Sequence, residues 1–294
     1  MIKNAKTGRK MIVDYSLSND EIEEMMSEHR FRALVKAENN AKNGRLVIKD
    51  LALDLNILDD LKLPDSITYL EMASCYEPES VDAIEYSKLN SFKALECLYI
   101  QDLDSYTKHE IFTFNEDLLE LGLSTGVLST FDNIPIESKK LRVLDLSNNK
   151  IAEPLPKLDL PLLSSLELQS NYITNISSLD KCNLPLLDKL DLTGNRIEGN
   201  LPVLNLPKLR VLVLDNNTIT NVDNLLKSKM ELLKMLYLKN NNIAGKVPNL
   251  GHFPRLILAE LQNNKFEQLP PMRSKSLQKL YLERNHLKGP LPKL

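Results

Sequence analysis

The chain has 294 residues, of which 43% are hydrophobic and 26% charged, and its 37 basic and 40 acidic residues leave a formal net charge of −3. This near balance argues against a nucleic-acid binder or a polybasic membrane-binding surface, and no apolar run approaches the ~18 residues of a membrane span. Aromatic residues make up only 5% of the chain and Trp is absent, so the core must be built from aliphatic side chains.

The first predicted element is a helix at about residues 19–42, inside an N-terminal segment that spans residues 1–42. Ser18 and Glu21 have the spacing of a helix capping box, apolar residues follow mostly at helical intervals, and Asn43-Gly44 is a typical stop. We interpret this segment as a cap over the first hydrophobic layer of the repeats that follow. The alternative is that the helix docks a partner of its own.

Residues 43–140 are predicted to contain irregular repeats, with strand-like starts near Leu46, Ile67, Leu95 and Leu118. Residues 44–140 carry 8 Lys or Arg against 19 Asp or Glu, whereas residues 141–294 carry 21 against 14. The repeats should therefore be electrically polarised along their length. The connecting segments are long and poor in proline, so short helices are expected within 79–93 and 107–117.

Residues 141–294 are predicted to form regular repeats of the pattern LxxLxLxxNxL. The copies begin at Leu141, Leu163, Leu187, Leu209, Leu233, Leu256 and Leu277. Leucines at the fourth and sixth positions share one face of a short strand, so the repeats should stack into a parallel sheet. No C-terminal cap is evident after the last copy.

The ninth position of every regular repeat is asparagine. Its amide offers two donors and an acceptor, which suits buried backbone groups where each coil turns away from its strand. We therefore predict a structural asparagine ladder. Its members are Asn149, Asn171, Asn195, Asn217, Asn241, Asn264 and Asn285.

Two types of return segment alternate between repeat starts that lie 21 to 24 residues apart. One type is rich in proline, as in residues 152–156 and 198–202, and proline disfavours a helix there. The other type is represented by residues 174–179 and 220–225. The returning side of the regular repeats should thus be extended or turn-like.

The repeated motif resembles that of the leucine-rich-repeat superfamily. The proline-rich return segments are similar to those of plant-type repeats, and the other type is similar to short intracellular repeats. The resemblance implies an α/β repeat fold, a right-handed horseshoe-shaped solenoid with a parallel sheet on its concave face and mostly extended or short-helical convex segments. It also implies that the horseshoe serves mainly to hold protein partners.

The strand positions that point away from the core form the candidate binding surface. An acidic stretch is followed by an apolar and aromatic one, and exposed apolar clusters beside charge are typical of protein interfaces. The predicted partner-binding residues on the concave face are Tyr99, Asp145, Glu167, Asp188, Asp191, Val211, Val213, Met235, Tyr237, Leu258, Glu260 and Tyr281. A basic or amphipathic protein segment would fit them. The acidic residues could instead merely solvate the sheet or bind a cation.

The leading hypothesis for function is a protein-interaction module or scaffold. The alternative is a regulatory or targeting unit for an enzyme, either a phosphatase, a ubiquitin ligase or a catalytic domain beyond Leu294. An enzyme in its own right has little support, because the four histidines occupy unrelated positions without metal-ligand or catalytic spacing. We predict no catalytic residue, metal, cofactor, nucleic-acid partner or small-molecule substrate.

The cysteines bear on the compartment of the protein. Cys75, Cys97 and Cys182 are odd in number and far apart, and no signal-peptide pattern follows Met1. These features predict an intracellular protein, either cytoplasmic or nuclear.

Overall fold

The computed structural model of the protein describes residues 2–3, 10–11, 44–49, 67–73, 92–101, 117–126, 128–132, 134–271 and 274–288. The helix predicted at 19–42 lies outside these residues, as do 79–91 and 107–116, where short helices are expected. Residues 289–294, which would contain the end of the last repeat, lie outside them as well.

Eleven strands form a single parallel sheet in which each strand pairs with the strands of the coils before and after it. They are β3 (Arg45–Lys49), β4 (Tyr69–Ala73), β5 (Cys97–Gln101), β6 (Glu120–Ser124), β7 (Val143–Asp145), β8 (Ser165–Glu167), β9 (Lys189–Asp191), β11 (Val211–Val213), β13 (Met235–Tyr237), β15 (Leu258–Glu260) and β17 (Lys279–Tyr281). The remaining strands form two-stranded sheets. They are β1 (Ile2–Lys3), β2 (Lys10–Met11), β10 (Glu198–Asn200), β12 (Thr218–Asn221), β14 (Ala244–Lys246) and β16 (Lys265–Gln268).

The aliphatic core lies behind the eleven-stranded sheet. Fourth-position side chains such as Leu166, Leu190 and Leu212 stand in register and are 0% exposed, as are sixth-position side chains such as Leu168 and Leu192. Each buried leucine removes apolar surface from water, and this burial stabilises the fold by about 25 cal/mol for each Å². The leucines at the fourth and sixth positions are therefore the main source of stability. The predicted fold class, a leucine-rich-repeat solenoid with a parallel sheet, is confirmed.

The ninth-position asparagines connect adjacent coils. In the middle of the array, the Asn195 amide nitrogen donates to the carbonyls of Leu168 at 2.9 Å and Leu192 at 3.1 Å, and its oxygen accepts from the Ile173 amide at 3.0 Å. The first six members are 2% to 7% exposed, whereas Asn285 is half-buried. The ladder therefore pairs backbone groups that would otherwise be buried without partners.

From β6 onward, each coil leaves its strand of the large sheet through a residue with a left-handed backbone. The eighth position has a φ between 55° and 65° from coil to coil. Its occupants are Thr125, Asn148, Ser170, Gly194, Asn216, Asn240, Asn263 and Arg284. Asparagine tolerates this conformation better than most residues, which explains its frequency here.

The return segments are extended or contain single turns of 3-10 helix, namely η1 (Ser177–Lys181), η2 (Asp223–Lys227) and η3 (Leu250–His252). β10 pairs with β12, and β14 pairs with β16, so the return segments associate two by two. The first coil of each pair carries a glycine with positive φ, Gly199 at 73° or Gly245 at 81°. The repeating structural unit is thus a pair of coils, in agreement with the alternating segment types.

No helix in the described part of the chain combines the length and the apolar character that crossing a membrane requires.

Candidate protein-binding surface

The open face of the sheet presents two rows of side chains that run across the strands, about 4.8 Å apart from strand to strand. The third-position row reads Arg45, Tyr69, Cys97, Glu120, Val143, Ser165, Lys189, Val211, Met235, Leu258 and Lys279. The fifth-position row reads Val47, Glu71, Tyr99, Gly122, Asp145, Glu167, Asp191, Val213, Tyr237, Glu260 and Tyr281.

Five predicted residues form one continuous cluster across β11, β13 and β15. We call it the apolar patch; it consists of Val211, Val213, Met235, Tyr237 and Leu258. The Met235 side chain is 37% exposed and the others are half-buried, so the sheet leaves them partly in contact with water. The sheet register thus brings together most of the apolar residues selected from the sequence.

Tyr281 does not join the apolar patch directly. Its ring is 38% exposed, but Glu260 lies between it and Tyr237 in the fifth-position row. The predicted residue Glu260 therefore borders the patch, and Tyr281 stands beyond that border.

The predicted acidic stretch is only partly assembled. Asp145, Glu167 and Asp191 are consecutive in the fifth-position row, but Lys189 lies 3.1 Å from the Glu167 carboxylate. Asp145 also accepts a hydrogen bond from the Ser147 amide at 2.9 Å, a contact that fixes the turn after its strand. These carboxylates are therefore engaged within the chain as well as facing solvent.

Asp188 lies outside the acidic row. It precedes β9, and its carboxylate accepts from the Arg210 guanidinium at 2.8 Å. Asp188 and Arg210 occupy the second position of adjacent coils. Arg210 is not among the residues predicted from the sequence. The sequence could have indicated the pair, because second-position residues of adjacent coils stack like those of the other rows.

Tyr99 belongs to a separate cluster at the N-terminal end of the sheet. Its ring packs on Gly122, its hydroxyl donates to Glu120 at 2.6 Å, and its centroid lies 5.8 Å from that of Tyr69. The Arg45 guanidinium lies 4.0 Å above the Tyr69 ring, a cation–π distance. Five strand steps, or about 24 Å, separate this aromatic cluster from the apolar patch, so Tyr99 and the patch are distinct surfaces.

The aromatic cluster disfavours ionisation of its thiol and its tyrosine hydroxyls by raising their pKa values. Burial, reinforced by the Glu120 carboxylate, raises the pKa of Cys97 to about 11. Burial also raises the pKa of Tyr99, and the hydrogen bond to Glu120 adds to the effect. A thiol with such a pKa is almost fully protonated at neutral pH and makes a poor nucleophile.

A charged triad that the sequence analysis missed borders the apolar patch. The Lys239 ammonium lies 3.2 Å from Asp215 and 3.5 Å from Glu260, and the Lys239 amide donates to Asp215 at 2.9 Å. Asp215 is 4% exposed, and its burial raises the pKa of its carboxyl although Lys239 opposes the shift. Both Asp215 and Lys239 occupy the seventh position, whose row could have been read from the sequence like the others.

Two of the four histidines, His252 and His286, fall in the described residues, and both are exposed. Within the parts of the chain that the structure describes, no three His, Cys, Asp or Glu side chains are grouped as they would be to hold a metal ion.

Comparisons with known proteins agree with this geometry. The family model described as Leucine Rich Repeat matches residues 140–159. No curated protein sequence matches the chain.

Solved structures share the fold at low sequence identity. The TDR receptor is 20% identical with a TM-score of 0.58, over 78% of this chain and 46% of that one. The Arabidopsis receptor kinase HAESA, solved with the peptide hormone IDA and the co-receptor SERK1, is 20% identical with a TM-score of 0.57, over 77% and 38%. A plant ice-binding protein is 17% identical with a TM-score of 0.56, over 82% of each chain. The chain thus spans less than half of the two receptors.

The family match covers one regular repeat, and the structural likenesses extend over most of the chain. The other regular repeats share the LxxLxLxxNxL motif, the stacked parallel strands and the asparagine ladder of the matched repeat. The chain therefore contains a leucine-rich repeat and has the leucine-rich-repeat fold.

Proposed function

We propose that the protein is a protein-interaction module that binds a partner on the open face of its sheet, at the apolar patch. The observation that carries the proposal is the register of Val211, Met235 and Leu258 on three adjacent strands, with Val213 and Tyr237 beside them. Partly exposed apolar side chains in one cluster are costly to leave in water and typical of surfaces that a partner covers.

Two further observations support this proposal. The patch stands on a rigid sheet whose backbone groups are paired, so its side chains are held in position before a partner arrives. Receptors with this fold include the HAESA structure, whose name gives a peptide hormone and a co-receptor as bound partners. A protein or peptide partner is therefore favoured over a small molecule.

The test compares partner capture by the wild-type chain and by the variant Met235→Asp, with quantitative mass spectrometry of the proteins retained from the cells of origin. Met235 is 37% exposed, so the substitution should leave the core intact while placing a charge in the patch. We expect the specific partners to be lost, because an unpaired charge in the centre of an interface costs several kcal/mol.

Leu226→Asp is the matched control. Leu226 is 39% exposed but lies in η2, on the returning side of the coil. Its variant should retain every partner that the wild type binds. Retention of the same partners by Met235→Asp would contradict the proposal.

A further inference from the structure

The apolar patch separates two bands of opposite charge. A cationic band lies at the start of the strands and an anionic band lies at their ends. The cationic band contains Lys189, Arg210, Lys234 and Lys279 with one carboxylate, Asp188, for a net charge of +3. The anionic band contains Asp191, Asp215, Glu260 and Glu283 with one cation, Lys239, for a net charge of −3.

The separation follows from the position of each residue in its repeat. Members of the cationic band occupy the second or third position, and members of the anionic band occupy the fifth or seventh. Pairs inside each band, such as Asp188 with Arg210 and Lys239 with Glu260, reduce the local charge but leave its sign. Lys189 also pairs with Glu167 of the preceding strand, so the cationic band is weakest at β9. Lys279 begins the last described strand and Glu283 lies two residues after it, and both are exposed, so the bands also persist there.

The size of this surface limits what can cover it. From β9 to β17 there are four strand steps, about 19 Å, and from the second to the seventh position the chain advances about 17 Å, which gives a footprint of about 320 Å². A stable interface between folded proteins buries about 800 Å² on each partner. The charge-flanked patch is therefore too small for a second copy of the chain or another globular domain to be held by it alone.

A single helix matches these dimensions. A helix is about 10 to 12 Å wide, and about 13 residues span 19 Å. Its side chains return to one face every 5.4 Å, close to the ~4.8 Å between strands, whereas alternate residues of an extended segment are about 6.6 Å apart. A helix that lies across the strands can thus place one apolar residue per strand over β11, β13 and β15.

We propose that the patch and its two bands bind one amphipathic helix of a partner protein, about three to four turns long. An apolar stripe of that helix covers Met235 and its neighbours, acidic residues line the flank toward the cationic band, and basic residues line the flank toward the anionic band. Since reversing the helix would exchange its flanks, the bands fix its direction across the sheet. This inference rests on the proposed function and specifies the partner's chemistry.

The binding probe is a synthetic peptide of about 18 residues, or five turns, with leucine at every third or fourth position, Lys on one flank and Glu on the other. Two other peptides of the same charge and length serve as comparisons. In one, Lys and Glu are mixed on both flanks; in the other, two central prolines prevent the helix. Fluorescence anisotropy of the labelled peptides against the full chain should show the patterned helix binding at least ten-fold more tightly than either comparison peptide.

Matched charge variants test the bands. Glu260→Gln with Glu283→Gln removes two charges from the anionic band, and Glu198→Gln with Glu267→Gln removes two exposed charges from the returning strands β10 and β16. The first double variant should weaken binding of the patterned peptide about five-fold at low salt, as expected for two exposed ion pairs. The second should bind like the wild type, and high salt should abolish the difference.

The outcomes separate this inference from the proposed function. Equal binding of the patterned and mixed helices overturns the role of the bands. Equal binding of the patterned peptide and the proline-containing peptide overturns the helix. If Met235→Asp loses its captured partners while no peptide binds the wild type, the function stands and the helix is wrong. A wild-type dimer that Met235→Asp converts to a monomer, measured by light scattering, would identify a second copy as the occupant and overturn the inference.

Discussion

The first four strands of the sheet and the seven that follow hold their coils together in different ways. β3 to β6 each have five residues in the ladder, so their main chains stay paired beyond the sixth position. β7 and its six successors have three. Their eighth-position amides still donate to the seventh-position carbonyl of the next coil, and the ninth-position asparagine takes the sixth-position carbonyl of the coil before it. At the junction the ninth position is Gly126, where an added Cβ would lie 2.9 Å from the Asn149 amide oxygen. The first coils thus have a longer regular ladder, whereas the later coils add a column of side-chain amides to their backbone pairing.

The two regions also differ on the open face. Near the N-terminus, Tyr69 and Tyr99 donate their hydroxyl hydrogens to Glu71 and Glu120, so the exposed side chains satisfy one another. At β11 to β15, the open face instead carries apolar side chains, and the Tyr237 hydroxyl lies 3.5 Å from the Met235 sulfur and not against a carboxylate. The proposed function accordingly assigns partner binding to the C-terminal region.

The largest effect should come from the interior of the asparagine ladder. Asn195→Ala leaves the buried Ile173 amide without a partner and removes one of the two hydrogen bonds that the Leu168 and Leu192 carbonyls each accept, which should cost about 3 kcal/mol of unfolding free energy. Asn285→Ala, at a half-buried position in the last described coil, should cost about half as much because water can replace the amide. Guanidinium unfolding followed by circular dichroism measures both, and equal losses would show that burial does not set the value of the ladder.

A smaller effect is expected in the aromatic cluster. Gly122→Ala would place a methyl group about 2.9 Å from Tyr99 Cε1, so the ring must move and its 2.6 Å hydrogen bond to Glu120 would be lost. We expect a loss of about 1 to 2 kcal/mol, typical of overpacking. In a Tyr99→Ala background the added methyl group has nothing to displace, and Gly122→Ala should cost little. An undiminished cost in that background would place the strain elsewhere.

The smallest effect is chemical and leaves the fold unchanged. With a pKa of about 11, Cys97 should be alkylated slowly by iodoacetamide at pH 8, and its rate should rise with pH until the thiol ionises. The unfolded protein, with an ordinary thiol pKa near 8.5, should react far faster at pH 8. The measurement uses a chain in which Cys97 is the remaining cysteine. A native rate equal to the unfolded rate would show that Glu120 and burial do not protect the thiol.

Much of the fold could be predicted because one motif carries both register and burial. The leucines at the fourth and sixth positions predict the sheet, and the asparagines at the ninth predict the contacts between coils. Proline in segments such as 198–202 and 152–156 correctly predicts return segments without α-helix. The difference in strand length was not predicted, since it depends on how far two coils stay in register after their sixth residues and not on a residue type.

The candidate surface was predictable in part. Register alone places Val211, Met235 and Leu258 side by side, so the apolar patch follows from the sequence. The pairing of Lys189 with Glu167, and of Lys239 with Asp215, depends on how long side chains turn on the surface, which position in the repeat does not determine. The N-terminal cap and the intracellular location stay predictions.

The pairing of return segments has a consequence for how such a chain can change its length. Because β10 joins β12 and β14 joins β16, each of these four coils has a strand partner on its returning side, and a single coil inserted within either pair would separate the two partners. Residues 187–232 form such a pair, and their removal would bring coils of the same kinds into contact as before. Insertions and deletions among these repeats should therefore involve two coils at a time, and each would add or remove two strands of the open sheet face.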